Sequence, residues 1–177
     1  MLMSRLATAC AGLMLCVSGY VCAEGQTDSE YRVKAAFLYN FTRFTSWPDS
    51  GDTQFNLCIL GDSPFNSELE SLSGKTVHDR PLVISYPQSQ EESADCHTVF
   101  ISRSLTSDVA EIIRSLGSRP VLTVSDIDNF TGQGGIIGMH TVDSRVRFSI
   151  NIASAARSGL SISSKLLSLA SAIRAGD

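Results

Sequence analysis

The sequence predicts an α/β fold: a single domain whose largely parallel sheet is flanked by helices, with an antiparallel hairpin near the C-terminus. Three observations carry that reading. From Phe55 to Val124 short apolar runs alternate with stretches of helical spacing, the order of parallel strands joined by crossover helices. After Ser125 the alternation stops, and Ile136–Thr141 and Arg145–Asn151 follow with only Val142-Asp143-Ser144 between them, which reads as a hairpin. No long linker, low-complexity tract or internal repeat interrupts the chain, so one core is expected.

The first segment reads as a targeting signal rather than as part of the fold. Arg5 is followed by an apolar, small-residue run from Leu6, and Val21-Cys22-Ala23 has the small-x-small pattern of a cleavage site. A signal peptide over residues 1–23, cut after Ala23, thus precedes a domain over 24–177. An uncleaved membrane anchor is the alternative, although Thr8, Gly12, Ser18 and Gly19 dilute its hydrophobicity. Lipidation fits poorly, because Leu15 and Val21 precede Cys16 and Cys22 where a small residue is needed.

Thr27 to Glu30 has the spacing of a capping box and opens a helix. Val33, Ala36, Phe37, Phe41 and Phe44 recur at helical spacing behind it, and Trp47-Pro48 ends it. Phe55–Leu60 is a strand. Ser63-Pro64 then has the order of an N-cap and first helical proline, with Phe65, Leu69 and Leu72 as the apolar face and Gly74 as the stop. Lys75–Val77 and Pro81–Tyr86 are extended, and Gln88–Asp95 is a polar loop. Thr98–Ser102 is a strand, Thr106–Leu116 a helix closed by Gly117, and Pro120–Val124 a further strand. After the hairpin, Ser163-Ser164 opens a final helix carrying Leu166, Leu169, Ala170 and Ile173.

Composition bounds the function. The chain has 14 basic and 18 acidic residues, net −4, and loss of Arg5 makes it more negative still. Without a basic stripe to neutralise phosphates, nucleic acid is not an expected partner. A hydrophobic content of 43% excludes disorder. Cleavage removes Cys10, Cys16 and Cys22 and leaves Cys58 and Cys96. Two cysteines in an oxidising compartment read as one disulfide, with two buried free thiols as the alternative.

The chemical motifs each have a bland reading. Gly61-Asp62-Ser63 after a strand resembles the first block of GDSL-type esterases, but Ile137 stands where the aspartate before His140 is needed, so Ser63 reads as a cap. Gly132-Gln133-Gly134-Gly135-Ile136-Ile137-Gly138 precedes a strand rather than a helix, unlike a phosphate loop. It reads as a tight turn, with Gly138 admitting a close backbone. Asp126 and Asp128 start like a calcium loop, but the glycine falls one place late and Ile137 takes the position of the bidentate carboxylate. His78, His97 and His140 lack ligand spacing. No catalytic set, metal site or cofactor is expected.

A longer pattern is more specific. Glu30-Tyr31-Arg32-Val33-Lys34-Ala35-Ala36-Phe37-Leu38-Tyr39-Asn40-Phe41 runs on to Phe44-Thr45-Ser46-Trp47-Pro48. In order follow Leu57-Cys58-Ile59-Leu60-Gly61-Asp62-Ser63-Pro64-Phe65, Gly135-Ile136-Ile137-Gly138-Met139, Arg145-Val146-Arg147-Phe148-Ser149-Ile150-Asn151, and the ending from Ala156 to Ala170. Together these resemble the YfiR family, also described as the YfiR-like or DUF4154 domain. The resemblance covers roughly residues 28 to 174.

It implies a periplasmic, non-enzymatic α/β domain, typically a homodimer, that binds the periplasmic part of an inner-membrane diguanylate cyclase. Such a protein represses cyclic di-GMP synthesis and biofilm formation, and an outer-membrane peptidoglycan-associated lipoprotein can sequester it. Cys58 and Cys96 match the family's stabilising disulfide. Some relatives carry a second cysteine pair where this chain has Gln133 and His140, which argues against switching built on two bridges. The alternative function is a periplasmic small-molecule sensor signalling to another receptor such as a histidine kinase; a hydrolase using Ser63 is the third. As contact candidates, Tyr39 and Trp47 fall off the helix's apolar face. Arg145 and Arg147 alternate with Val146 and Phe148 and project from a polar strand face, where paired guanidiniums suit an anion or a partner carboxylate.

Overall fold

The computed structural model describes residues 24–176; the expected leader and its cleavage after Ala23 lie outside the described residues. The chain opens with α1 (Glu24–Arg43). Thr27 therefore lies inside the helix rather than capping it. The buried face of α1 is Lys34, Ala35, Leu38, Phe41 and Thr42, spaced i, i+1, i+4, i+7 and i+8, as one helical stripe requires. Phe37 and Phe44 flank that stripe half-buried, whereas Val33 and Ala36 face solvent, against expectation.

The strands and helices then follow as β1 (Thr45–Ser46), β2 (Phe55–Leu60), β3 (Thr76–Val77), β4 (Arg80–Ser85), β5 (Thr98–Ile101), α2 (Val109–Leu116) and β6 (Leu122–Ser125). After these come β7 (Ile137–Val142), β8 (Arg145–Asn151), α3 (Ile152–Arg157), β9 (Ser161–Ile162), α4 (Ser164–Leu167) and β10 (Ala172–Arg174). Eight strands form one sheet in the order β10-β8-β7-β6-β5-β2-β4-β3, and β1 pairs with β9 in a small ribbon. The inner run β4-β2-β5-β6-β7 is parallel throughout. The pairs β7–β8 and β3–β4 are antiparallel. The predicted class, with its C-terminal hairpin, holds.

Each face of the sheet carries a core. Leu38 and Phe41 of α1 pack with Leu57, Phe100, Phe148 and Ile150 on one side. Val109, Ile112 and Leu116 of α2 cover Cys58, Val99 and Ile101 on the other. The hairpin turn has two residues rather than three, Asp143 and Ser144, both at positive φ (48° and 58°), the geometry of the primed turns that match strand twist.

Four local expectations are corrected. The segment after Ser63 is not an α-helix: it forms turns and a short 3₁₀ stretch at Glu70–Leu72. Asn66 sits at φ 46°, outside helical geometry, while Phe65, Leu69 and Leu72 are buried as predicted. The final helix is one turn long, capped by Ser163, whose Oγ accepts from Leu166 N at 3.2 Å. The chain then turns into β10, parallel to β8, leaving Leu169 63% and Ile173 48% exposed. Helix α3 had no apolar signal; Asn151 caps it by accepting from Ser154 N at 2.9 Å. Gly138 faces side chains of Ser149 and Thr131, not a backbone, and a Cβ on Gly135 would lie 2.2 Å from the Phe130 ring. The glycine-rich segment thus lets Phe130 seal the second core.

Candidate functional site

The most unusual feature is a buried charge cluster that fastens α1 across the carboxyl end of the sheet. Lys34 is 2% and Asp126 1% exposed. Lys34 Nζ lies 2.6 Å from Asp126 Oδ2 and 2.5 Å from Glu30 Oε1, one turn earlier on α1. Tyr31 donates its hydroxyl to the same Asp126 oxygen at 2.9 Å, and its ring lies 4.4 Å from the ammonium. Arg103, in the turn after β5, brings Nε within 3.4 Å of Asp126 Oδ2 and donates Nη2 to the Asp126 carbonyl at 2.7 Å. Asp126 Oδ1 is buried and has no partner among the described residues.

Charges this deep persist only when paired and hydrogen-bonded. The Lys34 hydrogen bond holds the Glu30 carboxyl below its usual range, against the effect of burial. Burial first, then the Asp126 charge, drives the Tyr31 phenol well above its usual value. Lysine and phenol are both committed to Asp126, so the cluster acts as a clamp. Asp126, whose spacing to Asp128 starts like a calcium loop but does not complete one, is paired with Lys34.

A second cluster surrounds the disulfide. Cys58 on β2 is bridged to Cys96, just before β5, and both are buried. The neighbouring His97 stacks on Phe55, centroids 4.6 Å apart. Its Nδ1 accepts from Asn56 N–H at 3.1 Å, which puts the proton of the neutral ring on Nε2, facing Asp52 Oδ2 at 3.2 Å. Arg80 Nη1 lies 3.2 Å from that nitrogen. Burial first and the Arg80 charge second push the His97 pKa down, opposed by Asp52.

Trp47 packs edge-on to Phe55 and donates its indole N–H to the His97 carbonyl at 3.0 Å. It is half-buried, as is Tyr39, which donates to Thr76 O at 3.1 Å between Arg43 and Lys75. Both expected surface anchors therefore also hold the fold. Arg145 and Arg147 are exposed on β8, opposite Val142 and His140 of β7. Five strands separate β8 from β3, so the structure does not gather the four candidates into one patch.

Ser63 has no histidine beside it. Its Oγ lies 3.5 Å from Phe65 N, while His78 faces the carbonyls of Thr42 and Thr45 and His140 faces Ser171. A groove of about 540 Å³ runs between α1 and the hairpin, lined by Glu30, Val33, Thr141, Arg145 and Val146 among others. The sequence reading missed Lys34 because only apolar residues were counted along the helix. Its spacing of four and seven from Leu38 and Phe41 was the available signal.

Comparison with known families matches residues 31–171 to the YfiR/HmsC-like family. The chain belongs to that family. The matched span runs from Tyr31 of the clamp to Ser171 beside β10, so both clusters lie almost wholly inside it. The family is one of periplasmic regulators of diguanylate cyclase signalling. Among the described residues no helix is long and apolar enough to cross a membrane.

Proposed function

We propose that this protein is a periplasmic negative regulator that binds the periplasmic part of an inner-membrane diguanylate cyclase and lowers cyclic di-GMP synthesis. The observation that carries the reading is the family match over residues 31–171. Repression requires tighter binding to the inactive cyclase than to the active one, because equal affinity shifts nothing. Moving the cyclase from almost fully active to almost fully inactive takes roughly a 10⁴-fold difference.

The groove between α1 and the hairpin supports the reading as a docking surface. Val33, 42% exposed, and Val146 supply apolar contact, and Glu30 and Arg145 give it charges of both signs. Arg145 and Arg147 are the contacts we assign first, with the outer edges of Tyr39 and Trp47 second. A homodimer and sequestration by an outer-membrane lipoprotein complete the proposal. Affinity purification of the tagged protein from solubilised membranes tests it. A diguanylate cyclase should co-purify from wild type and be depleted with Arg145→Glu, Arg147→Glu. Recovery of no inner-membrane signalling protein under native conditions contradicts the reading.

A further inference from the structure

We propose that the pocket between the ends of α2 and α3 binds a small organic anion, a carboxylate or phosphate carried on a compact apolar body. The pocket is about 310 Å³, at the lower end of the range for small-molecule sites. Three arginines line it: Arg114 in the last turn of α2, Arg119 in the loop beyond, and Arg157 in the last turn of α3. The buried residues Ser154 and Ser158 add hydroxyls, and Ile113 and Ile136 add apolar wall.

The charge balance is the decisive observation. In a chain with 18 acidic and 14 basic residues, no carboxylate lines this pocket. Among the described residues, none of the three arginines belongs to an ion pair. Arg157 Nη2 donates to Ser154 Oγ at 2.9 Å, which holds one guanidinium in place and leaves its other donors for a ligand. Planar guanidiniums offer a paired-donor geometry that matches carboxylate and phosphate oxygens.

Helix dipoles do not account for the arrangement. A cation in the last turn of a helix is favourable by itself, which covers Arg114 and Arg157 singly. It does not cover Arg119, nor the presence of all three arginines in the lining of one pocket. Three of the helix-end carbonyls accept backbone bonds: Gly117 N bonds Ile113 O, Arg119 N bonds Leu116 O, and Gly159 N bonds Ala156 O at 3.2, 3.2 and 3.0 Å. The inference does not rest on the regulator reading, and the pocket is separate from the groove between α1 and the hairpin.

The test is calorimetric titration of the exported protein with phenyl phosphate, inorganic phosphate and benzylamine at low salt. Phenyl phosphate should bind saturably with one site per chain, inorganic phosphate more weakly, and benzylamine not at all. All three arginines are exposed, so Arg114→Gln, Arg119→Gln, Arg157→Gln should melt as wild type does while losing at least tenfold in affinity. Amide-shift mapping on the wild-type protein keeps the proposal testable even if the triple variant folds poorly. Shifts concentrated at residues 113–119 and 154–158 support it. Absence of saturable binding, affinity retained within twofold in a folded triple variant, equal affinity for both phosphates, or shifts centred elsewhere would overturn it.

Discussion

Lys34 and His97 are the two residues whose chemistry most constrains this molecule. Lys34 places a full charge in the core and relies on Asp126 and Glu30 to neutralise it. Replacing it by Met removes the buried cation and leaves Asp126 only the more exposed Arg103 as a charge partner, a loss of up to about 3–5 kcal/mol. That is a large part of the roughly 5–15 kcal/mol of a whole domain. Denaturant unfolding should show this loss for Lys34→Met and a partial recovery when Asp126→Asn is added. Additive losses would mean that the two side chains do not act as a pair. His97 gives a pH test. Its folded pKa is depressed, so as pH falls the unfolded chain takes up this proton first. Stability is therefore full above about pH 6.5 and declines below it. Protonation would also turn Nδ1 into a donor facing Asn56 N–H. The urea midpoint of wild type should fall between pH 7.5 and 5 by more than that of His97→Gln. Parallel profiles would contradict this role.

At the scale of elements, what was legible follows from periodicity. Strands β2 and β5 are short runs dominated by apolar residues, while β6 and β8 alternate apolar with polar ones. Helix α2 carries its stripe of Val109, Ile112 and Leu116 and was legible too. The face of α1 was placed one residue off, because its stripe contains Lys34 and Thr42, polar residues at helical spacing that a count of apolar positions passes over. The turn at Asn66 and the conversion of the last predicted helix into β10 depend on contacts made elsewhere in the sheet. Leu169 and Ile173 are helix-spaced, yet the sheet offered β8 as an edge to pair. Ser171 N and Ser171 Oγ both bond Phe148 O at 2.8 Å, which draws the last residues alongside. Deleting residues 172–177 should thus uncover the β8 edge. We expect a lower melting temperature and concentration-dependent aggregation by light scattering, as for any unpaired edge strand. A truncated chain that stays monomeric and melts as wild type does would show β10 to be dispensable.

For the whole molecule, the bridge Cys58–Cys96 joins the interior strand β2 to the residue before His97, with both cysteines in the core that α2 covers. Its loss should cost about 2–5 kcal/mol, seen as a lower urea midpoint in reductant and as reduced abundance of either Cys→Ser variant. If the bridge only holds the fold, a Cys58→Ala, Cys96→Ala protein brought to normal abundance should still repress. A folded, abundant variant that cannot repress would assign the bridge a chemical role. The central claim is that this domain lowers cyclic di-GMP from outside the cytoplasm. The most direct measurement is the cellular cyclic di-GMP level in a deletion strain carrying the intact gene, a version lacking residues 1–23, or neither. The account predicts a raised level on deletion, restored by the intact gene and not by the leaderless one. A level that deletion leaves unchanged, or that the leaderless protein restores, would contradict it.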